Sequence, residues 1–451
     1  MFRKILLVLL CLALLTVTAC APAAQPVVSP SAEAEATPAP SAETAAAPDE
    51  SAEPAPTAET GSVDQALLSD VLMQTENFSV LLMQNLMNAN TEQNSAFSPL
   101  ALNAVMAALY AGAKGDTEEE MRLLMGYQTE PGDVVQALTY LISAQDSNAF
   151  TLGDSLHLSR RVGFVENYID QITAPLRIGT YSQDYSDPAT YQSVNACAEL
   201  VTNGKVSTLL DSTVAADTLY LISAFQLSAA FDLPFDPART QTGTFEGTTG
   251  LISVPMMAGD FEADYAEDEY MQMVSLPLAE GKMQLKLILP REGGESAFAE
   301  ALPQYADAWL SPEAVSPQSV TLHVPKFTLS CGDSYLEALS SMGLEKALRA
   351  QTADFSGMLN PDLVLPTPIN DVFSVCSLTL SENGLNTDAQ PALQTAEPSE
   401  ENIDLEFDHP FLMAVTDTQT GALLTLAWVN DTGDGREKQS FFRKTSWRTF
   451  F

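Results

Sequence analysis

The stretch that decides the fold is NSAFSPLALNAVMAALYAGAKGDTEEEMRLLMG, residues 94–126. Ser98 is a typical helix N-cap, and Pro99 suits the first helical position, where no backbone N–H is needed. From Leu100 to Ala111, apolar residues surround almost the whole helix, which is typical of a helix buried on every side. We therefore expect a large core around this helix.

The residues that follow predict a second helix. Gly112 and Gly115 end the first helix. Thr117 and Glu120 have the spacing of a capping box, in which two side chains bond backbone N–H groups at a helix N-terminus. The chain has 451 residues, enough for one large domain with a substantial core.

The net charge limits the partners of the domain. Asp and Glu number 59 against 20 Lys and Arg, which gives a formal net charge of −39. Such a surface repels phosphate, so we expect neither nucleic acid nor an anionic lipid surface to bind the main body. A diffuse acidic surface is more typical of a solubility device than of a binding site.

The N-terminus predicts export. Arg3 and Lys4 precede the apolar run ILLVLLCLALL, and TVTAC ends it at Cys20. The pattern is that of a signal peptide over residues 1–20, too short for an ordinary membrane-spanning helix. Its end resembles a bacterial lipobox, which implies cleavage before Cys20 and a lipid anchor on that thiol; an incidental cysteine in a plain signal peptide is the alternative. We expect the protein on the extracellular side of the bacterial membrane, held through lipid alone, or secreted.

Composition divides the rest into three parts. Residues 21–62 are rich in Ala, Pro, Ser, Glu and Thr and lack aromatic residues, which predicts a disordered tether. Residues 63–430 carry the helical and strand patterns of a folded domain, and residues 431–451 form a basic, aromatic tail. We expect that tail to be poorly ordered; contact with a membrane or wall polymer is the alternative.

Helical periodicity comes first in the domain, and strand patterns come later. MQLKLILP (283–290) and SVTLHVPKFTLS (319–330) alternate as strands do, and LLTLAWV (423–429) is typical of a buried strand. Helices followed by long strands favour an α+β fold with helices packed around large, mostly antiparallel sheets.

Known catalytic motifs are absent from the sequence. G-x-S-x-G and H-E-x-x-H do not occur, and three histidines could serve as bases: His157, His323 and His409. Cys197, Cys331 and Cys376 have no zinc or disulfide spacing, so we interpret them as buried thiols. The sequence therefore disfavours an enzyme and a metal site; a surface hydrolase, a third interpretation, would need a histidine-containing site that these motifs do not supply.

Several segments together resemble the serpin family. One such motif alone would be weak, but they keep the family's order over residues 66–430. The matching segments are NSAFSP (94–99), GAKGDTEEE (112–120), VNACAELVTNGKVSTLL (194–210), LPFDPARTQTGTF (233–245), VPMM (254–257), LILP (287–290), VPKF (324–327), ADFSGM (353–358) and DHPFLMAVTDTQTGALLTLAWV (408–429). The resemblance implies a serpin fold with an exposed reactive-centre loop.

The resemblance also implies a suicide-substrate mechanism. A serine protease cleaves the exposed loop and is held as an acyl-enzyme, while the loop inserts into the central sheet as a new strand and carries the protease with it. No cofactor is needed, since the stored conformational energy of the fold drives the trap. The implied partner is an extracellular serine protease, and we expect the inhibitor to be a monomer.

Where the sheet must open, the resemblance places four residues: Ser98, Pro99, Ala101 and Ser374. Ala101 replaces the family's second serine, and Ser374 takes the place of its histidine. At the top of the sheet, Phe231 replaces a tryptophan and Ser223 an asparagine. Each replacement removes a polar group from the opening mechanism.

The hinge of the loop resembles the family at Glu382 and Gly384, but LNTDAQPAL (385–393) replaces the small residues expected next. Alternation gives an inserted strand one uncharged, buried face: Leu385, Thr387, Ala389, Pro391, Leu393 and Thr395. The solvent face would hold Asn386, Asp388, Gln390, Ala392 and Gln394. Pro391 donates no ladder hydrogen bond; by analogy with helix interiors it costs about 3 kcal/mol, so we expect it to slow insertion.

The predicted position of the cleaved bond depends on the end of the loop from which the residues are counted. From Gly384, the family's loop length places it after Pro398; from FDHPF (407–411), it falls after Ser399. Few serine proteases cut after proline, so we favour Ser399–Glu400, which suits elastase-like or subtilisin-like enzymes; Glu397 is a third candidate. The sequence thus predicts a serine-protease inhibitor. The alternative is a non-inhibitory serpin that serves as a surface binding or structural module.

Overall fold

The structure is a computed structural model. It describes residues 63–89, 93–185, 187–201, 204, 206–210, 219–248, 250–310, 316–360, 367–387 and 402–432. The signal peptide, the lipid anchor Cys20, the tether and nearly all of the C-terminal tail lie outside the described residues, so the predictions for them stay predictions.

Helices dominate the first part of the described chain, as the periodicity predicts. They are α1 (Gln65–Ala89), α2 (Pro99–Gly112), α3 (Gly115–Met125), α4 (Pro131–Ala144), α5 (Glu166–Tyr168) with a π-helical turn (Ile169–Thr173), α6 (Pro188–Val201), a 3-10 turn (Pro237–Arg239), α7 (Glu295–Leu310) and α8 (Leu336–Ser341).

Eight strands of the described chain, numbered in chain order, form what we call the central sheet. They are β2 (Phe150–Leu152), β3 (Ser155–Ser159), β4 (Gly179–Gln183), β5 (Leu219–Leu227), β6 (Ala229–Ala230), β12 (Phe327–Ser334), β13 (Ile369–Ser381) and β14 (Gly384–Leu385). Their order is β4-β3-β5-β13-β14-β6, with β12 beside β13 and β2 beside β5. The β3–β4 and β5–β13 pairs are parallel, and the others are antiparallel.

The second sheet has nine strands within the described ranges. They are β1 (Ser95–Phe97), β7 (Gln241–Gly247), β8 (Gly250–Glu267), β9 (Met271–Leu278), β10 (Met283–Pro290), β11 (Ser316–Pro325), β15 (Ile403–Glu406), β16 (Phe411–Asp417) and β17 (Leu423–Val429). Their order is β1-β17-β16-β10-β9-β8-β11-β15, with β7 beside β8. Only β11–β15 is parallel among the described pairs. The prediction of an α+β fold with mostly antiparallel sheets is confirmed.

Helix α2 lies at the centre, as its composition predicts. It contacts β5 of the central sheet on one side and β17 of the second sheet on the other. Every residue from Pro99 to Tyr110 is buried. Ser98 is the N-cap, and its Oγ accepts a hydrogen bond from the N–H of Ala101 at 3.2 Å. The helix is apolar on nearly every side because strands of both sheets and the helices α1, α3 and α4 pack against it.

The capping-box prediction is wrong. Helix α3 begins at Gly115, so Thr117 and Glu120 lie inside it. The Thr117 Oγ1 accepts a hydrogen bond from the backbone N–H of Asp354 at 3.0 Å, and a carboxylate oxygen of Glu120 accepts one from the N–H of Lys346 at 2.7 Å. The two side chains therefore hold a distant loop against α3 and do not start the helix.

The segment 319–330 is also organised differently from its simple alternation. Lys326 separates β11, in the second sheet, from β12, in the central sheet. The backbone N–H of Lys326 donates to the carbonyl of Pro255 at 2.8 Å at this crossing point. One continuous strand pattern thus serves two sheets.

Candidate functional site

The two middle strands of the central sheet meet along a parallel joint, which we call the central joint. The register runs from Leu219 opposite Ile369 to Ala224 opposite Val375. Ser223 lies opposite Ser374, and both serines are buried. Along this register, β5 and β13 are therefore hydrogen-bonded directly to each other, with no strand between them.

A buried polar group links the central joint to α2. The Ser374 Oγ donates to the backbone carbonyl of Ala96 at 3.2 Å, and the Tyr335 hydroxyl donates to the same oxygen at 2.9 Å. Ala96 lies in β1, two residues before the N-cap of α2. Ser374 is thus linked through Ala96 to the segment that starts α2, which contains the other three residues expected at the opening: Ser98, Pro99 and Ala101.

Two further buried polar residues, one in α2 and one beside β5, were not predicted from the sequence. Asn103, inside α2, donates through Nδ2 to the carbonyl of Pro99 at 2.9 Å. Asp154 accepts a hydrogen bond from the N–H of Ala224 at 3.0 Å, beside Ser223 on β5. Burial raises the pKa of Asp154 well above its ordinary value, although the Ala224 amide and the Ser223 hydroxyl oppose the rise. A lone asparagine in an otherwise apolar helix was the available signal for Asn103.

The hinge glutamate is held at the top of the central sheet. Lys326 Nζ lies 2.7 Å from one carboxylate oxygen of Glu382, and the Thr240 hydroxyl donates to the other at 2.9 Å. Burial alone would raise the pKa of Glu382, but these hydrogen bonds outweigh it and leave the pKa below its ordinary value. Glu382 is thus a charged, fixed anchor for the start of the loop.

The first two residues of the loop already form a strand between β13 and β6, the short strand that follows β5 after Ser228. In β14, Leu385 lies opposite Leu380 of β13 and Ala229 of β6. Gly384 has φ +130°, and a Cβ atom there would lie 2.3 Å from the carbonyl oxygen of Ala229. Only glycine fits that position. Leu385 is fully buried, which agrees with its place on the uncharged face of an inserted strand.

The loop leaves the sheet directly after β14. Asn386 makes hydrogen bonds to both central strands, a role not predicted from the sequence, where Asn386 was assigned to the solvent face of an inserted strand. Thr387 follows and is half-buried. The other loop predictions lie outside the described residues: Ala389, Pro391, Glu397, Pro398, Ser399 and Glu400.

The histidines lie apart from one another. His157 is buried in β3, where burial lowers its pKa to about 4 and leaves the ring neutral at pH 7. His323 in β11 lies 3.6 Å from a carboxylate oxygen of Asp404, and His409 precedes β16 with Nδ1 2.7 Å from Asp408. The described side-chain hydrogen bonds of His157 and His409 go to Ser155, Asp408 and Pro290, which lie outside the central joint.

Two cysteines agree with the prediction of buried thiols, and one does not. Cys331 and Cys376 are buried opposite each other on β12 and β13, whereas Cys197 is exposed. Within the described ranges, no group of His, Cys, Asp and Glu is arranged to hold a metal ion. Among the helices described, none is both long and apolar enough to cross a membrane.

The chain belongs to the serpin family, since the family model for serpins (serine protease inhibitors) matches residues 73–432. Serine protease inhibitor 42Dd of Drosophila melanogaster is 24% identical over 351 residues, which cover 75% of this chain and 92% of that protein. The family resemblance inferred from the sequence is confirmed, and members of this family are mostly protease inhibitors rather than enzymes.

Solved serpin structures share the fold. Human thyroxine-binding globulin in complex with thyroxine has a TM-score of 0.72 at 21% identity, over 82% of this chain and 100% of that chain. The thermophilic serpin tengpin in its native state also has a TM-score of 0.72 at 21% identity, over 82% and 95% of the two chains. The predicted serpin fold is therefore confirmed. The similar proteins include one named as a serine protease inhibitor and one named as a thyroxine-binding globulin.

Proposed function

We propose that this chain inhibits extracellular serine proteases as a suicide substrate, and that its cleaved loop inserts into the central joint. One observation carries the proposal: β5 and β13 are parallel neighbours, and the antiparallel β14 lies between β13 and β6, the short strand that follows β5 after Ser228. Extending β14 would replace one parallel pair with two antiparallel pairs. Because antiparallel pairs are slightly more stable per residue, and each new ladder bond adds about 1 kcal/mol, insertion would lower the free energy.

The register of β14 indicates why Pro391 matters. Continued without a bulge, it places Pro391 between Ser223 and Ser374, at the polar part of the central joint. The N–H of Asn386 points to β13, so the ring nitrogen of Pro391, an odd number of residues later, would face β5. The carbonyl of Ser223 would then lack its donor. We infer slowed insertion at this step.

A pair of adjacent substitutions tests insertion directly. Thr387→Arg would place a guanidinium on the buried face of the inserted strand, whereas Asp388→Arg would place the same group on its solvent face. Incubation with elastase-like and subtilisin-like proteases should give an SDS-stable complex with the parent and with Asp388→Arg. Thr387→Arg should be cleaved without forming the complex.

Melting of the cleaved parent supplies the second measurement. Cleavage between Glu397 and Glu400 should raise Tm by on the order of 10 °C or more, since about ten ladder bonds would form. A cleaved parent that melts with the intact one, and that never retains protease, contradicts the proposal. It would favour the alternative, a non-inhibitory binding or structural module, which the likeness to a thyroxine-binding protein also supports.

For the target, we propose cleavage at Ser399–Glu400 by a protease that accepts a small residue. N-terminal sequencing of the released C-terminal peptide identifies the bond. A peptide that begins at Glu400 supports the proposal, and one that begins at Ser399 or Pro398 assigns the other candidates.

We also propose attachment to the outer face of the bacterial membrane through lipid on Cys20. The parent should then partition into detergent and Cys20→Ala into the aqueous phase.

A further inference from the structure

Asn386 connects the loop to both central strands through its side chain. Its Oδ1 accepts from the N–H of Thr379 at 2.8 Å, and its Nδ2 donates to the carbonyls of Leu227 at 2.8 Å and Ser377 at 2.9 Å. Thr379 and Ser377 belong to β13, and Leu227 is the last residue of β5. One amide group therefore bridges the two strands where they separate.

The main chain of Asn386 is also fully bonded. Its N–H donates to the carbonyl of Thr379 at 2.8 Å, as in a regular antiparallel ladder. Its carbonyl, however, turns away and accepts from the Ser228 hydroxyl at 3.1 Å. This turn requires φ +47°, a left-handed conformation that asparagine tolerates better than most residues. The antiparallel ladder thus ends at Asn386, whose N–H bonds Thr379 of β13 but whose carbonyl does not.

The side chain of Asn386 uses the groups that further insertion would need. In a continued strand, the Thr379 N–H would bond the main-chain carbonyl of Asn386, and here it bonds Oδ1 instead. The same register puts Thr387 opposite Leu227 and Asp388 opposite Ser377. Their N–H groups would bond the two carbonyls that Nδ2 now occupies.

We propose that Asn386 is a positioning residue that stops the loop after its second inserted residue by substituting its side-chain amide for three main-chain groups of the absent strand. This inference rests on the proposed insertion step. Insertion must break the three side-chain bonds and rotate φ of Asn386 from +47° to the extended region. Because the inserted strand restores each bond to β5 and β13, Asn386 raises the barrier to insertion and leaves the inserted state unchanged.

Asn386→Ala tests this, with Asn383→Ala as the matched control. Asn383 lies in the turn before β14, and its side chain makes no hydrogen bond that the structure describes. We expect Asn386→Ala to lower the Tm of the uncleaved protein, to leave the Tm of the cleaved protein unchanged, and to speed insertion after cleavage on the order of tenfold. Asn383→Ala should leave all three unchanged.

Asn386→Asp sharpens the readout. A carboxylate keeps an acceptor for Thr379 but turns an oxygen toward the carbonyls of Leu227 and Ser377, so the uncleaved Tm should fall below that of Asn386→Ala. Equal loss of Tm in the uncleaved and cleaved forms, or an unchanged insertion rate, would overturn the proposal.

Hydrogen exchange separates this inference from the proposed function. In the uncleaved protein, the Thr379 amide should be protected in the parent and exchange faster in Asn386→Ala, but not in Asn383→Ala. If the cleaved parent shows no rise in Tm, the proposed function fails, and this exchange difference still decides whether Asn386 holds the hinge. Unchanged exchange at Thr379 refutes that role.

Discussion

Two strand joints in this molecule differ in what they contain. In the second sheet, β16 and β17 pair antiparallel from Phe411 opposite Val429 onward, and the strand side chains along the joint are nearly all apolar and buried. In the central sheet, β5 and β13 pair parallel, with Ser223 opposite Ser374 and Asp154 beside them. The first joint is thus almost entirely apolar, whereas the central joint has buried polar groups along it.

The difference bears on the proposed insertion, which requires the central joint to open while the joint of the second sheet stays closed. Parallel pairing is slightly weaker per residue, and buried hydroxyls and amides can exchange one hydrogen-bond partner for another without losing the bond. Beyond Leu227, β13 pairs with β14, and Asn386 bonds both β5 and β13, so direct pairing of these two strands ends there. The polar composition of the central joint therefore supports the proposal that this sheet gains a strand there.

The largest expected effect is a loss of stability from a substitution in the β16–β17 joint of the second sheet. Leu426 is fully buried in β17, between Phe97 of β1 and Ala414 of β16. Leu426→Ala should lower the free energy of unfolding by about 2–5 kcal/mol, because it leaves a cavity. Chemical denaturation should show the same loss in the uncleaved and cleaved forms, with an unchanged insertion rate. A loss confined to one form would mean that this joint also rearranges.

The next effect concerns a titrating group beside the second sheet. Burial raises the pKa of Glu76 in α1 to about 7, with Asp307 adding to the rise and Lys286 of β10 opposing it. Burial in turn lowers the pKa of Lys286 to about 8, against the attraction of Glu76 and Asp264. Between pH 4.5 and about 7, folded Glu76 therefore keeps a proton that the unfolded chain has lost.

It follows that the free energy of unfolding falls as pH rises through this window, by about 3 kcal/mol from this group. Glu76→Gln should remove that slope: at pH 4 it should match the parent, and at pH 8 it should be more stable by up to the same amount. Denaturation from pH 4 to pH 8 measures this in both forms. The slope should be equal in the uncleaved and cleaved proteins, and a difference would place Glu76 in the moving part.

A smaller effect is expected from the loop. Pro391→Ala restores the N–H that would face the Ser223 carbonyl in an inserted strand, so trapping should become several-fold more efficient. The measurement is the ratio of SDS-stable complex to cleaved, released inhibitor. Ala392→Gly is a neighbouring control that keeps the ladder donor. Unchanged or lower efficiency with Pro391→Ala would refute the register proposed for this residue.

The smallest effect probes the polar content of the central joint. Ser374→Ala removes one donor to the carbonyl of Ala96, which keeps its bond from Tyr335. Uncleaved stability should therefore fall by only about 0.5–1 kcal/mol. The insertion rate after cleavage should change more than the stability of the cleaved form. Equal changes in both forms would show that Ser374 stabilises the sheet without controlling its opening.

Much of the local structure was predictable because it depends on neighbouring residues. The N-cap at Ser98, the fully buried α2 and the strands β10 and β17 follow from spacing and composition alone. Thr117 and Glu120 show the limit. Their spacing fits a local capping box, but a distant loop offered backbone N–H groups to the same side chains.

The sequence by itself determined the buried helix α2, the strands β10 and β17, and the family, since each is a short-range or ordered pattern. The need for glycine at position 384 came from the close carbonyl of Ala229. The tertiary structure alone decided that β5 lies beside β13, that Lys326 divides one strand pattern between two sheets, and that Asn386 bridges the strands. The reason is physical: a backbone N–H or side-chain amide can bond any group of the right geometry. Which group comes within 3 Å is set by the packing of the whole chain.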